Sequence, residues 1–327
     1  MSASTPNTAA EAVTEAGTEP AVAIGVIVAP DGRILIDQRP PEVIGGGLWE
    51  FPGGKVEAGE SPETALAREL AEEVGITPTA VEPLITLPPE DGGPRLHIWR
   101  VTAWRGEVTP LEGHPLRWVT ADELPDYPMP AANAAVITSL RLPDELAISP
   151  EPGADREAFL EGLAATAAAT GLVQLRAPAL DEAAYAELAG AAVARVAAAG
   201  GKLLLNAAPE RAREIGAAGV HLNSGRLAQL EARPAGLDWV GASCHTAADL
   251  ARAVEVGADF ALLSPVAPTA SHPGAEPLGW AGFQRLVADA RLPVYALGGV
   301  SPGDRAAAVR AGARGVAGIR AFWRGAT

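Results

Sequence analysis

The chain has 327 residues, and its 40 acidic and 25 basic side chains give a formal net charge of −15. That length predicts two domains of ordinary size, and a hydrophobic content of 48% is enough for two cores and argues against general disorder. The negative balance argues against binding of duplex nucleic acid, which needs Lys and Arg facing phosphates. Small phosphorylated ligands remain compatible with it, because a bound divalent cation can offset the charge locally.

The cysteine content, the apolar runs and the first 20 residues exclude further classes of protein. The single cysteine, Cys244, excludes an intramolecular disulfide framework and a cysteine-based zinc cluster. No run approaches the roughly 18 apolar residues of a membrane span, so we expect no membrane association. Residues 1–20 carry Glu11, Glu15 and Glu19 but no Lys or Arg, unlike a secretory signal or an Arg-rich transit peptide. We predict a mobile acidic tail over residues 1–20 of a cytoplasmic protein.

Residues 21–142 read as a mixed α+β domain. Ala29-Pro30-Asp31-Gly32 between two apolar runs predicts a hairpin turn. Strand-like runs follow at 95–104 and 116–119, and a helix is expected near 131–140.

One amphipathic helix stands out, over residues 61–74. Ser61 occupies the expected N-cap, Pro62 the first helical position, and Gly75 follows the end. The predicted buried side consists of Ala65, Leu66, Leu70 and Val74.

The second half, residues 143–327, has a different pattern: short apolar runs alternate with Ala-rich helical stretches. Eight such runs favour an α/β (β/α)8 TIM barrel, with a doubly wound open sheet as the alternative. The stretch 141–153 contains the domain boundary, and because it is short we expect the two domains to touch. The runs are 146–149, 173–176, 202–206, 219–222, 239–244, 260–266, 293–299 and 315–319.

The helix of residues 61–74 carries the clearest chemical pattern. Glu69, Glu72 and Glu73 stand at i, i+3 and i+4, so their carboxylates share one helix face and repel one another. A hard cation such as Mg2+, which takes oxygen ligands and bridges carboxylates to phosphates, would explain that arrangement. Arg68 and Glu60 could orient these carboxylates through hydrogen bonds and ion pairs without contacting the cation themselves. The alternative is an ordinary solvated helix face.

The wider segment 54–76 resembles the motif of the Nudix hydrolases. The resemblance implies hydrolysis of a nucleoside diphosphate linked to another group, with Mg2+ as cofactor and Mn2+ as a substitute. The matching positions are Gly54, Glu60, Arg68, Glu69, Leu70, Glu72, Glu73, Gly75 and Ile76.

Residues 21–140 are most similar to the MutT branch, the 8-oxo-dGTP diphosphatases that remove oxidised precursors before DNA replication. The resemblance implies a nucleoside triphosphate substrate, catalytic roles for Glu69, Glu72, Glu73 and Glu112, and metal contacts from these four and the Gly53 carbonyl. It implies substrate contacts from Arg39, Glu50, Phe51, Pro52, Gly53 and Asn133.

Two of these roles have simpler alternatives. Asn133 could read the oxidised purine edge through its amide, or could simply cap a helix. Glu112 could be a metal ligand or base, or loop surface. One position departs from the branch, because Ile44 stands where a substrate-contacting histidine is expected; His97 and His114 are expected to be structural.

Residues 146–323 resemble the thiamine phosphate synthase and TenI family. The matching segments include Val173-Gln174-Leu175-Arg176 and Gly219-Val220-His221-Leu222. The departures remove the acids and lysines that the family uses for Mg2+ and diphosphate, and the TenI histidine. They are Pro178, Ala207, residues 223–226, Pro265 and His272.

We therefore expect neither family activity in the barrel. We predict a phosphate site at the glycines that end the last two strands of the barrel, Gly298, Gly299 and Gly318. Ser243, His245 and Thr269 are expected at the same end of the barrel. Three interpretations stay open: an idle pocket, a sensor or binding module for a small phosphate such as a thiamine-type phosphate, or a retained or altered enzyme. For the whole chain, the alternative to 8-oxo-dGTP hydrolysis is hydrolysis of damaged thiamine-pathway diphosphates.

Overall fold

The computed structural model describes residues 19–42, 45–269 and 274–325. The predicted tail lies outside these ranges except for Glu19 and Pro20, which are held against the first domain: Arg95 Nε donates to Glu19 Oε2 at 2.8 Å and Arg95 N to the Pro20 carbonyl at 2.8 Å. Ile44 and His272 also lie outside the described residues. No helix in the described ranges is both long and apolar enough to cross a membrane.

Over its described residues, the first domain contains two sheets and two α-helices. A four-stranded sheet has the order β4-β1-β6-β5 and a three-stranded sheet the order β3-β2-β7. Strands β1 and β6 are parallel, and the other pairs are antiparallel. The elements are β1 (Ala21–Ile27), β2 (Ile34–Gln38), β3 (Trp49–Glu50), β4 (Gly53–Lys55), α1 (Pro62–Val74), β5 (Thr77–Leu87), β6 (Arg95–Arg105), β7 (Leu116–Val119) and α2 (Asn133–Arg141).

The predicted turn at residues 29–32 forms, but it does not close a two-stranded hairpin. Gly32 N donates to the Ala29 carbonyl at 2.8 Å, and beyond it β1 and β2 share only the bridge between Val28 and Ile34. The two strands then diverge into different sheets, and each supplies apolar side chains to both core clusters of the domain. The candidate site, called the cleft below, lies where Gly53 and Gly54 contact Glu73 and Glu69 of α1, with Asp37 of β2 close enough to interact with Glu73.

Helix α1 begins and ends as its sequence predicts. Ser61 caps it by accepting from Thr64 N at 3.2 Å, and Gly75 ends it in the left-handed conformation with φ 70°. The buried residues of α1 are Ala65, Leu66, Leu70 and Val74. They pack with Ala23 and Ile27 of β1, and the polar side of the helix is left to face the cleft.

The second domain is a closed barrel of eight parallel strands, so the TIM-barrel prediction is confirmed. Each predicted apolar run supplies one strand, in the order β10-β11-β12-β13-β14-β15-β8-β9 around the barrel. The strands are β8 (Glu145–Ile148), β9 (Leu172–Leu175), β10 (Lys202–Leu205), β11 (Gly219–Leu222), β12 (Trp239–Cys244), β13 (Phe260–Leu263), β14 (Val294–Leu297) and β15 (Gly315–Gly318). The α-helices are α3 (Arg156–Thr170), α4 (Glu182–Ala198), α5 (Pro209–Ile215), α6 (Ser224–Gln229), α7 (Ala247–Glu255), α8 (Gly279–Val287) and α9 (Arg305–Arg310).

The two domains are joined by charged contacts around Asp144. Its carboxylate pairs with Arg314 at 2.5 Å, Arg305 at 2.9 Å and Arg100 at 3.6 Å. Burial alone would raise the pKa of Asp144, but these guanidinium groups, Arg314 foremost, lower it. Arg305 of the barrel also makes a two-oxygen pair with Glu82 of β5 at 2.7 and 2.8 Å. The domains therefore touch, as the short connection predicts.

Candidate functional site

Arg68 organises the carboxylate face of α1. Its Nη1 donates to Glu69 Oε1 at 2.8 Å and to Glu72 Oε2 at 3.2 Å. Its Nε and Nη2 bind the two oxygens of Glu60 at 3.1 and 3.0 Å. The hydrogen bond from Arg68 lowers the pKa of Glu60, and the Arg68 pKa is raised in return. One guanidinium thus fixes three carboxylates that would otherwise repel one another.

The loop before the helix lies directly against the glutamates. Gly53 N donates to Glu73 Oε2 at 2.8 Å, and Gly53 has φ 148°, a backbone region that favours glycine. A Cβ placed on Gly54 would collide with the Glu69 carboxyl group. Gly54 is therefore required by the close approach of the helix, whereas Gly53 is required by its own backbone conformation and by the backbone of β1 beside it.

Glu73 is the most perturbed of the helix carboxyls. Burial raises its pKa to about 8, with further contributions from the negative charges of Asp37, Glu69 and Glu112. Glu72, by contrast, has a side chain that is 58% exposed. Glu72 is therefore exposed to solvent, whereas the neighbouring Glu73 is half-buried among other carboxylates.

Glu112 reaches this environment from the loop before β7. Its side chain is 50% exposed, and Glu112 Oε2 lies 3.7 Å from His114 Nε2. On its other side, His114 Nδ1 lies 3.8 Å from Asp37 Oδ2. His114, which the sequence assigns to a structural role, thus stands between two carboxylates of the cleft.

Asp37 of β2 is the residue that sequence reasoning missed. It is 4% exposed, and burial followed by repulsion from Glu50 raises its pKa to about 7. The signal that could have revealed it is a single acid at the end of an apolar strand, Ile34-Leu35-Ile36-Asp37.

The predicted substrate contacts occupy different environments. Arg39 Nε donates to both carboxylate oxygens of Glu50 at 2.7 Å, so these two form one unit at the cleft. Phe51 and Pro52 are buried, and Phe51 packs in the core between the sheets. Any contact from Phe51 to a nucleotide would come from its backbone.

Asn133 is the first residue of α2 and is 6% exposed. The N-cap position belongs to Ala132, which makes no side-chain capping bond. The capping alternative therefore does not describe Asn133, and its amide remains a candidate for recognition of a base.

The donor set of the cleft fits a hard divalent cation. Glu69, Glu72, Glu73 and Glu112 offer only oxygen, and the Gly53 and Gly54 loop is shaped around two of them. Within the described residues, no group of three or more His, Cys, Asp or Glu side chains is arranged so that it could hold a metal ion. Mg2+ does not require one, because it keeps several waters and uses one or two carboxylates together with substrate phosphates.

The barrel has its own pocket, of about 890 Å³, at the carboxyl ends of its strands. Gly298, Gly299 and Gly318 line it, as do Ser243, His245 and Thr269. Deep in the pocket, His221 Nε2 lies 2.8 Å from Ser243 Oγ, and burial lowers the pKa of His221 to about 3. The size suits a ligand of cofactor dimensions.

Most of the altered family positions that the structure describes line this same pocket, although Pro265 does not. Pro178 and Ala207 are in its wall, and Asn223 is used as the cap of α6, accepting from Arg226 N at 2.9 Å. Among the described lining residues the carboxylate is that of Glu182, which already pairs with Arg211 at 2.5 Å. The barrel residues thus do not fit a magnesium diphosphate, whereas its arginines suit a simple anion. The arginines of the lining are Arg176, Arg211, Arg226 and Arg320.

The first domain is thus an α+β fold with a cluster of carboxylates beside α1, and the second is a closed TIM barrel with a pocket at the carboxyl ends of its strands. Comparison with protein families gives the same division. The NUDIX domain matches residues 23–139, and the family described as thiamine monophosphate synthase matches residues 147–322. The chain belongs to the Nudix family in its first part and to the thiamine monophosphate synthase family in its second. Nudix hydrolases generally use divalent metal ions and act on nucleoside diphosphate-linked substrates.

Individual relatives support both assignments. A CTP pyrophosphohydrolase of Escherichia coli is 39% identical over 116 residues, 35% of this chain and 86% of that protein. An 8-oxo-dGTP diphosphatase of Escherichia coli is 39% identical over 122 residues, 37% of this chain and 95% of that protein. A thiamine-phosphate synthase of Thermus thermophilus is 34% identical over 180 residues, 54% of this chain and 87% of that protein.

Proposed function

We propose that the first domain is a Mg2+-dependent pyrophosphohydrolase that converts 8-oxo-dGTP and water to 8-oxo-dGMP and pyrophosphate, with Mn2+ as a substitute metal. The observation that carries the proposal is the contact of the Gly53-Gly54 loop with Glu69 and Glu73 on the carboxylate face of α1. Its effect would be to keep oxidised precursors out of DNA replication.

Each residue of the cleft has a separate task in this reaction. Glu69, Glu72, Glu73 and Glu112, with the Gly53 carbonyl, would hold the cation, which when bound offsets phosphate charge and promotes attack by water. Glu73 Oε2 is fixed by Gly53 N, which leaves Oε1 to accept a proton from that water.

Substrate choice is proposed to depend on the Arg39–Glu50 unit and Asn133. An amide offers donors and an acceptor to a purine edge, and Asn133 is buried at the start of α2 without serving as its cap. One relative at 39% identity is named for 8-oxo-dGTP, and another at the same identity is named for CTP. The competing substrate is therefore CTP.

A substrate panel tests both the chemistry and the choice. We expect kcat/KM for 8-oxo-dGTP to exceed that for CTP and dGTP, and Glu73→Gln to lower it by about 10²-fold or more. Glu63→Gln is the matched control, since Glu63 is exposed in the first turn of the same helix. Equal turnover by wild type and Glu73→Gln at saturating Mg2+ would refute the hydrolase mechanism. A preference for CTP would refute only the substrate.

For the barrel we propose a binding module for a small phosphorylated ligand, of which a thiamine-type phosphate is the first candidate. The arginines of its pocket and the lack of metal-binding acids among its described lining residues favour binding over ionisation of a diphosphate. Calorimetry of the full chain with thiamine phosphate tests this, with Arg226→Ala as the variant. The absence of heat at about millimolar ligand, which corresponds to roughly 4 kcal/mol of binding free energy, would discard the thiamine version.

Hydrolysis of damaged thiamine-pathway diphosphates is the alternative for the whole chain, and the same substrate panel decides it if thiamine diphosphate is included.

We propose domain limits of 21–142 and 143–327. They are supported by the family matches, which end at residue 139 and resume at residue 147.

A further inference from the structure

Asp37 is a buried carboxylate that lacks the partners such a group ordinarily has. It is 4% exposed, and its Oδ1 has no hydrogen-bond partner within the described part of the chain. Its Oδ2 is 3.8 Å from His114 Nδ1, which is too long for a hydrogen bond. Arg39, two residues further along, directs its Nε to both oxygens of Glu50.

The groups around Asp37 make its burial less favourable still. Glu50 pairs with it across the β2–β3 register; Glu50 and Glu112 repel its charge, and the attraction from Arg39 offsets only part of the effect of burial and repulsion. Asp37 is in turn the leading source of repulsion on Glu73. A buried carboxylate among like charges is strongly unfavourable unless a positive charge compensates it.

Packing alone does not explain an acid at this position. The three residues before it, Ile34, Leu35 and Ile36, are apolar and buried. An apolar side chain at position 37 could occupy the same place with no charge to bury. The carboxylate is therefore better explained by a cation than by the fold.

We propose that Asp37 supplies its carboxylate to the divalent-cation site of the cleft, beyond the residues of the Nudix motif. This inference rests on the proposed function, because it assumes that the cleft binds a divalent cation. Glu73 belongs to α1, which packs on the four-stranded sheet, whereas Asp37 belongs to β2 of the three-stranded sheet. A cation shared by the two carboxylates is held by both sheets.

Mn2+ binding to the full chain without substrate provides the test. Electron paramagnetic resonance of free Mn2+ gives the dissociation constant for wild type, Asp37→Asn, Glu73→Gln and Asp31→Asn. Asp31→Asn is the matched control, because it makes the same acid-to-amide change in the exposed turn six residues earlier. We expect Asp37→Asn to weaken Mn2+ binding by about tenfold, which is about 1.4 kcal/mol, and Asp31→Asn to leave it unchanged.

The outcomes separate this inference from the proposed function. If wild type binds Mn2+ and Glu73→Gln weakens binding, but Asp37→Asn changes the dissociation constant by less than threefold, the role of Asp37 is refuted and the hydrolase site stands. If wild type binds no Mn2+ either alone or in the presence of nucleotide, the proposed function itself fails. Asp37→Ser is a second neutral variant should Asp37→Asn not fold, and thermal unfolding in EDTA identifies which variants are folded.

Discussion

The raised pKa of Glu73 predicts that the metal-free protein becomes less stable as the pH rises. In the unfolded chain Glu73 ionises near pH 4.5, whereas in the cleft its pKa is about 8. Between these values the folded protein holds a proton that the unfolded chain has lost. The stabilisation is therefore complete below pH 4.5 and is lost as the pH rises through about 8.

The size of the effect follows from one proton. Each pH unit in that window changes the free energy of unfolding by about 1.4 kcal/mol. From about pH 6 to about pH 7.5, wild type should lose about 2 kcal/mol relative to Glu73→Gln, which cannot ionise. Asp37, whose pKa is about 7, adds a contribution of the same sign. Burial lowers the pKa of His221 from 6.5 to about 3, so His221 acts in the opposite direction and overlaps the lower part of this range, but it does so equally in both proteins.

Urea unfolding in EDTA at several pH values measures the difference, with Glu63→Gln as the control that should follow wild type. Addition of Mg2+ should abolish the wild-type loss, because a bound cation stabilises the ionised carboxylates and the folded state together. Parallel pH profiles for wild type and Glu73→Gln would refute the reasoning, since Glu73 would then carry no unusual proton.

Three further predictions follow from named contacts. Gly54→Ala should lower kcat/KM by about 10²-fold with an unchanged circular dichroism spectrum, because a Cβ there displaces the Glu69 carboxyl group; near-normal turnover would contradict this. Asp144→Asn should destabilise the protein by about 3 kcal/mol in urea unfolding, because it leaves the buried guanidinium of Arg314 without its anion; a loss below about 1 kcal/mol would show that the pair is dispensable. Asn133→Ala should lower kcat/KM for 8-oxo-dGTP by about tenfold more than for CTP, and equal losses for the two substrates would remove Asn133 from base recognition.

The parts of the fold that could be predicted are those in which one local rule dominates. The barrel strands are continuous apolar runs, and α1 has a cap, a periodic face and a terminal glycine. Strand β5 (Thr77–Leu87) was missed because Pro78 and Pro83 interrupt it and its register shifts near both. The turn at 29–32 was visible, but the sequence does not reveal that the strands beside it enter different sheets.

The candidate site likewise has one part that could be predicted from the sequence and one part that could not. Glu69, Glu72 and Glu73 follow from spacing on one helix, and the resemblance to the Nudix family adds the Gly53 carbonyl as a predicted metal contact. Asp37 comes from another sheet, and its importance depends on burial and on neighbours distant in sequence. Likewise, the pairing of Arg39 with Glu50 spans eleven residues and depends on the β2–β3 register. Such relations arise from tertiary packing and have no local pattern.

The charged contacts between the domains bear on how the protein can be dissected. Arg314 of the barrel, 5% exposed, donates to the Ser139 carbonyl of α2 at 2.6 Å and to the carbonyl of Leu142. Cutting the chain between α2 and β8 would leave a desolvated guanidinium on one fragment and unpaired carbonyls on the other. Truncated halves would therefore carry a defect that the intact chain lacks, and two co-expressed fragments should reassociate through this surface.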